Sequence, residues 1–296
     1  DGTQLAEALH AKSPHIHVHI SATTSKRSHS RRHGHHQHEE YLPRLRFSGK
    51  RYDRGQAILR ARRGALTLNA AVMNPAEFLS LLHARHCQRA FSDEPVSRGA
   101  LEAALSAAGQ APSGKNTQPW RVTVTTGARR DALSNALCAE YDAGAKPQAD
   151  YDYSLQPQPE EWMDRARACG YALFELKDIA RDDVPARKAH GRENFTFFGA
   201  PVHMILHLPA GAERGNFLDA GMFLQNLMLA LTALGLGSCP QYSVAGYSDV
   251  IRATLGLPAD RWIVCGLSIG HPDPTAEVNT FVPDRLPLVD FVDWQQ

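Results

Sequence analysis

The spacing of apolar residues predicts helices and strands that alternate along most of the chain. In "PAEFLSLLHAR", apolar positions three and four residues apart predict an amphipathic helix. Asn74 is its predicted N-cap and Pro75 its first helical residue. A second helix is predicted after an N-cap at Ser97, and "RVTVTT" alternates as a strand does. Residues 160–180 are also predicted to be helical.

The second half of the chain predicts a buried core. "APVHMILHL" predicts a buried strand, residues 217–235 a long helix, and "RWIVCGLSIGHP" a strand that ends in a turn. Gly235 to Ser243, "GLGSCPQYS", predicts a helix end followed by a loop that begins with proline. The last segment, "NTFVPDRLPLVDFVDW", predicts an extended tail interrupted by prolines. Since no strand–helix–strand unit has a Gly-rich turn after its first strand, the pattern favours an α+β sandwich around one sheet.

Charge divides the chain near residue 73. The formal net charge is +1, yet residues 1–72 hold 13 Lys and Arg against 5 Asp and Glu, so the remainder is acidic. The same segment holds 9 of the 15 histidines. We interpret residues 1–72 as a basic, His-rich extension, either disordered or a targeting segment, and residues 73–296 as the folded domain. Histidine-rich tracts can bind metal, but no fixed Cys/His spacing supports a ligand set, so no metal site is predicted.

Cysteine usage and hydropathy limit the compartment and the partners. Five widely spaced cysteines without a CxxC pair argue against a disulfide framework and fit a reducing compartment. The most apolar stretch, residues 217–235, contains Asp219, Gln225 and Asn226, which favours a buried or interface helix over a membrane span. We therefore expect a cytoplasmic protein without membrane or nucleic-acid partners. If residues 1–72 are a targeting segment, an organelle is the alternative location.

Two segments carry candidate binding chemistry. "RHCQRAF" places Arg85 and Arg89 four residues apart at the end of a predicted helix, where their guanidinium groups could converge on a phosphate. A solvated basic face near a helix C-terminus is the alternative interpretation. "APSGKNTQPW", Ala111 to Trp120, offers loop N–H groups and amide side chains that suit the polar edge of a heterocycle. A helix stop followed by a turn explains its Pro-Ser-Gly, but explains the later polar and aromatic residues less well.

Two further segments are unremarkable alone, but the order of all four resembles the nitroreductase family of flavin mononucleotide (FMN) enzymes. That family's R-[RH]-S-x-[RK]-x-F segment is matched by Arg85 to Phe91, and its A-P-S-x-x-N-x-Q-P-W segment by Ala111 to Trp120. Its G-L-G loop and its final basic-x-P segment are matched by Gly235-Leu236-Gly237 and Arg285-Leu286-Pro287. The resemblance extends from about Met73 to Trp294. "RENFTFFGAPV", "LDAGMFLQN" and "CPQ" resemble the nitrobenzoate-type or broad nitroaromatic branch.

One position departs from the family pattern. Cys87 stands where the family usually has Ser, so a weak S–H donor replaces a hydroxyl donor beside the phosphate. The neighbouring arginines are expected to supply most of the phosphate affinity.

The resemblance implies a nitroreductase-like α-β-α sandwich around a mixed, mostly antiparallel sheet, in an intertwined homodimer. FMN would carry the chemistry, with NADH or NADPH as electron donor and no catalytic side chain. The implied cofactor-binding residues form three sets, which would contact the FMN phosphate, the edge of the flavin ring and flavin N5, in that order. They are Arg85, His86, Cys87, Gln88, Arg89, Arg285; Ser113, Gly114, Asn116; and Pro240, Gln241, Tyr242. Candidate substrate residues are Lys115, and Trp162 and Tyr171 in an aromatic lid at about 145–198.

The implied activity is electron transfer from NAD(P)H through flavin N5 to a flat acceptor, such as a nitroaromatic or a quinone, by a ping-pong mechanism. A reductive dehalogenase or a flavin-fragmenting enzyme of the same fold is one alternative. Dehalogenating relatives carry similar "APSGxHTEPW" loops and use a lid Glu, Tyr and Lys, for which Glu175 and Lys177 are candidates without matched spacing. A non-catalytic flavin- or metal-binding protein is the other alternative.

Overall fold

Helices cover both faces of a four-stranded antiparallel sheet in this computed structural model, which describes residues 74–154 and 156–296. The strands lie in the order β1-β2-β4-β3 and comprise β1 (Arg121–Thr125), β2 (Val202–Pro209), β3 (Gly237–Gln241) and β4 (Arg261–Gly270). The helices are α1 (Pro75–Ala84), α2 (Arg98–Ala108), α3 (Gly127–Asp142), α4 (Glu160–Leu176), α5 (Val184–Arg192), α6 (Arg214–Ala233) and α7 (Ser248–Leu255). The predicted extension at 1–72 and its boundary lie outside the described residues.

Strand β2 is buried on both faces, as its continuous apolar sequence predicts. Because successive side chains point to opposite faces, Met204 and Leu206 join a core cluster with α2 and α6. Ile205 joins a second cluster with α3 and α7. Two helix layers therefore enclose one sheet, and the predicted α-β-α sandwich is confirmed. The four strands pair antiparallel, while an isolated bridge between Cys87 and Ser238 is parallel.

The predicted helix starts are confirmed by their caps. The Asn74 Oδ1 accepts a hydrogen bond from the Ala76 N–H at 3.0 Å, with Pro75 next in the helix. The Ser97 Oγ accepts from the Ala100 N–H at 3.1 Å. Each cap satisfies a backbone donor that has no partner inside its helix.

The end of α1 differs from the prediction. The helix stops at Ala84, and Arg85 has extended backbone with φ −70° and ψ 109°. The chain leaves the helix here because it pairs with β3: the Gln88 N–H donates to the Ser238 carbonyl at 3.0 Å. The prediction that helical spacing of four residues brings Arg85 and Arg89 together was therefore wrong.

The segment from Gly235 to Ser243 also differs from the prediction. Five of its residues form the edge strand β3 instead of a loop. Pro240 lacks an N–H, but an edge strand tolerates this because one side of its ladder is unpaired. Gly237 passes so close to Gln88 that a Cβ would lie 2.6 Å from that residue's Cγ. Close backbone approach therefore explains the glycine.

A β-bulge connects the sheet to the loop after α3. The pairing shifts between Leu206 and His207, so Val264 of β4 has no partner in β2. The Tyr151 hydroxyl donates to the Val264 carbonyl at 2.7 Å. The bulge thus anchors the loop that forms the pocket described below. None of the helices in the described residues is long and apolar enough to cross a membrane.

Candidate functional site

Besides its pairing with β3, the segment Arg85–Arg89 is fixed by one polar side chain, Asn279. The Asn279 Oδ1 accepts from the backbone N–H groups of Arg89 at 2.7 Å and Ala90 at 3.1 Å. Its Nδ2 donates to the carbonyls of Ala90 at 2.8 Å and Asp273 at 3.0 Å. Asn279 was not predicted from the sequence, because "EVNT" has no pattern that distinguishes it from other tail residues.

Positive charges surround the Cys87 thiol within this segment. A hydrogen bond from the Cys239 thiol lowers the pKa of Cys87 to about 6, against the opposing effect of burial. The charges of Arg89, Arg85 and His86 lower this pKa further. The structure therefore brings four of the predicted phosphate-site residues together, although not through the helical spacing that the sequence suggested.

The Gln88 side chain lies beside this charged group. Its Nε2 is 2.9 Å from the His86 Nε2, which itself lies 2.8 Å from the Asn279 carbonyl. Its Oε1 is buried and has no hydrogen-bond partner within the described residues. Because buried polar atoms are normally paired, this acceptor marks a place where a further donor would be stabilised.

The "APSGKNTQPW" loop forms a short 3₁₀ turn, Gly114–Asn116, fastened to α6. The Gly114 N–H donates to the Oδ1 of Asp219, which is 6% exposed, at 3.2 Å. The lone acid in the most apolar stretch of the sequence was the signal that could have identified this contact.

The same loop has an unusual backbone. Lys115, Asn116 and Gln118 have positive φ angles of 51°, 59° and 48°, which cost energy in residues with a Cβ. The Ser113 Oγ accepts from the Gln118 N–H at 2.9 Å and closes the loop. Lys115 and Asn116 are exposed, so their polar groups are accessible at the surface. Strained backbone in exposed, polar residues is typical of binding loops.

The end of β3 is fixed by Gln241. Its Nε2 donates to the Asn194 carbonyl at 2.6 Å, and its Oε1 accepts from the Ser268 Oγ at 2.8 Å. Because both ends of this amide are already bonded, Gln241 would meet a ligand through its backbone. The fixed Gln241 sets the position of Tyr242, the next residue.

An open pocket of about 280 Å³ lies next to Tyr242. Tyr153 stacks on Tyr242 with ring centroids 4.0 Å apart, and Tyr151 meets Tyr242 edge-on at 5.7 Å. We call this the tyrosine pocket; its lining residues are Ala149, Tyr151, Asp152, Tyr153, Ser154, Gln156 and Tyr242. Three tyrosine rings in its wall suit a flat ligand.

Three predicted residues lie elsewhere. The Arg285 guanidinium donates to the carbonyls of Pro283 at 2.7 Å and Asp284 at 3.0 Å, in an exposed part of the tail. Trp162 and Tyr171 both lie on α4 and are nine residues, or two and a half turns, apart, so the two rings face opposite sides of the helix. Neither ring lines the tyrosine pocket, and their substrate role stays a prediction.

No group of three or more His, Cys, Asp or Glu side chains in the described part of the chain is arranged to hold a metal ion. The His-rich tract of the sequence lies outside that part.

The fold and the order of these segments define an α+β protein of nitroreductase-like architecture. The structure matches a crystal structure of the FMN and NADPH-dependent nitroreductase NfnB from Sphigopyxis sp. strain HMH with a TM-score of 0.72 and 40% identity. The match covers 74% of this chain and 99% of that chain.

Sequence comparison gives the same assignment. The model of the Nitroreductase family matches residues 82–271, and the chain belongs to this family. It is 35% identical over 214 residues to the chloronitrobenzene nitroreductase of Comamonas testosteroni, covering 71% of this chain and 93% of that protein. It is 36% identical over 212 residues to the 4-nitrobenzoate reductase of Pseudomonas putida, covering 71% and 91%. The family resemblance found in the sequence is thereby confirmed.

Proposed function

We propose that this chain binds FMN and passes electrons from NADH or NADPH to a nitroaromatic or quinone acceptor. The observation that carries the proposal is the position of the cationic segment Arg85–Arg89. This segment pairs with Ser238 near the start of β3 and is anchored by Asn279. A tyrosine pocket begins at the other end of the same strand. The names of the relatives include one neutral and one carboxylated nitroarene, so both acceptor classes enter the proposal.

The residues present fit FMN chemically. Guanidinium groups are strong partners for a phosphate, and two of them lie in the segment around Cys87. The Ser113–Asn116 loop presents polar groups that suit the edge of a heterocycle. FMN, when bound, supplies hydride acceptance and electron transfer, so the chain needs no catalytic side chain.

The remaining role of the chain is to bind and orient the flavin and the acceptor. Gln241, held by Asn194 and Ser268, keeps the backbone after Pro240 in one position. Tyr151, held by the Val264 carbonyl, keeps the pocket wall against the sheet. Such fixed groups place an acceptor without reorganisation at each turnover. One flat pocket used in turn by donor and acceptor is consistent with a ping-pong mechanism.

A homodimer is part of the proposal. Leu218 on α6 and Val289, Phe291 and Trp294 in the tail are 67%, 83%, 64% and 78% exposed. Large exposed apolar side chains, such as these on α6 and in the tail, are typical of a surface that a partner covers. A second copy of this chain is the partner that the family resemblance implies. The five unpaired cysteines support the cytoplasmic location included in this proposal.

The dehalogenase alternative gains no support from the predicted lid. The Lys177 ammonium forms an ion pair with Glu193 and lies 3.3 Å from the His190 Nδ1. Its charge is therefore engaged inside the protein, instead of facing a zwitterionic substrate.

The test is an anaerobic spectrum of the full chain reconstituted with FMN. NADPH or NADH should bleach the flavin absorbance, and nitrobenzene or a quinone should restore it. Free FMN at the same concentration is the control, since it sets the rate without protein. Failure of both donors to bleach protein-bound FMN faster than free FMN would overturn the proposal, as would failure of every acceptor to restore the colour.

A further inference from the structure

One carboxylate lies in the wall of the tyrosine pocket. Asp152 is the one charged residue among the seven that line it. Its side chain has no hydrogen bond or ion pair with any described residue of the chain. A charged group in a pocket attracts ligands of opposite charge and repels ligands of like charge. An unpaired carboxylate there therefore affects which ligands bind.

The residues on either side of Asp152 are fixed. The Asp150 Oδ2 accepts from the Ile263 N–H and from the Arg252 Nη1, both at 2.8 Å. On the other side, Tyr153 stacks on Tyr242. Asp152 is held between these two anchors, so its place in the pocket wall is set by the sheet.

The nearby cation does not neutralise this carboxylate. The Arg252 guanidinium forms ion pairs with Asp150 at 2.8 Å and with Asp249 at 2.6 Å. Burial raises the pKa of the Tyr242 hydroxyl, and the negative charge of Asp152 raises it further. The charge of Asp152 therefore reaches the ring that forms the inner wall of the pocket.

We propose that Asp152 sets the charge preference of the acceptor site: it favours cationic nitroarenes, disfavours carboxylated ones and leaves neutral ones unaffected. The inference rests on the proposed function, because it concerns the acceptor of that reaction. Two like charges in one partly hydrated pocket repel each other, whereas a neutral nitroarene is unaffected.

The first experiment measures kcat/KM of the FMN-reconstituted full chain with nitrobenzene, 4-nitrobenzoate and 4-nitrobenzyltrimethylammonium. Asp152→Asn should raise the value for 4-nitrobenzoate roughly 5- to 10-fold and lower the value for the cation by a similar factor, as expected for one removed charge. Nitrobenzene should change less than about twofold, because it carries no charge. Comparing each acceptor with itself cancels the differences in their intrinsic reactivity.

Glu102→Gln is the matched control, because it removes one negative charge from an exposed pair with Arg98 on α2. It should change none of the three values. Equal changes for all three acceptors in Asp152→Asn, or none, would overturn the inference. Absence of any reduction by the unaltered chain would instead contradict the proposed function, so the two failures are distinguishable.

A second readout needs no turnover. Calorimetry with benzoate and benzyltrimethylammonium measures binding to the same pocket. In Asp152→Asn the dissociation constant of benzoate should fall roughly 5-fold and that of the cation should rise. Unchanged constants for both ions would also contradict the role assigned to Asp152.

Discussion

The two ends of strand β3 differ in charge. Near its start, Ser238 pairs with the cationic segment Arg85–Arg89. Directly after its end, Tyr242 lines the tyrosine pocket, in which Asp152 is the one charged residue among those that line it. At about 3.3 Å per residue, the two ends are roughly 13 Å apart. A ligand with a phosphate at one end and a flat ring at the other matches this arrangement, which neither end would indicate alone.

The largest effect is expected at the cationic end. Arg89→Ala removes a guanidinium from the predicted phosphate site and should weaken FMN binding roughly 30-fold, since charge-assisted hydrogen bonds contribute about 1.5–3 kcal/mol. Titration followed by quenching of FMN fluorescence measures the constant. Arg98→Ala is the matched control, because Arg98 is exposed and pairs only with Glu102 among the described residues. Equal affinities of the two variants would remove Arg89 from the site.

A smaller effect is expected from the residue that anchors the same segment. Asn279→Ala loses three hydrogen bonds to the backbone of Arg89 and Ala90 and one to the backbone of Asp273. It should weaken FMN binding about 10-fold, the loss expected if the displaced segment costs FMN one to two hydrogen bonds of about 1 kcal/mol each. Binding of benzoate to the tyrosine pocket should stay unchanged, which separates local positioning from general destabilisation. Asn135→Ala, at an exposed position of α3, is the control. Loss of both binding activities together would show that Asn279 supports the whole fold instead.

The smallest effect concerns Cys87 and depends on pH. With a pKa of about 6, the thiol is ionised above that pH and repels a phosphate. Cys239, which donates to it, also has the Pro240 carbonyl as an alternative acceptor at 3.9 Å. Cys87→Ser should therefore tighten FMN binding about 3-fold at pH 8 and leave it nearly unchanged below pH 6, where the thiol is protonated.

Cys169→Ser is the matched control for this pH series, because Cys169 lies on α4 and is not part of the cationic segment Arg85–Arg89. It should leave FMN affinity unchanged at both pH values. A Cys87→Ser effect of the same size at pH 5.5 and pH 8 would show that the side-chain donor, and not the charge, decides the affinity.

Local pattern was sufficient for most of the fold. The helix starts at Asn74 and Ser97 and the buried strand β2 were predicted, because caps and apolar runs act over a few residues. The edge strand β3 was missed, since Gly and Pro normally indicate a loop and only pairing with β4 makes this segment a strand.

Tertiary contacts explain what the sequence did not reveal about the site. Arg85 and Arg89 were chosen for their helical spacing, but their segment is held by pairing with Ser238 and by hydrogen bonds to Asn279. Asn279 and Asp219 were missed because each bonds to backbone far away in the chain. The sequence motifs contain the charged residues that would contact a ligand. They do not contain the residues that hold those charged residues in position.

The most direct test of the account compares FMN with riboflavin, which has the same ring but no phosphate, in titrations of the full chain. If the cationic end of β3 holds the phosphate and the other end faces the ring, FMN should bind saturably at one molecule per chain. Riboflavin should then bind at least about 30-fold more weakly, the loss expected for charge-assisted phosphate contacts. Equal affinities for the two flavins, or binding of neither, would contradict the account.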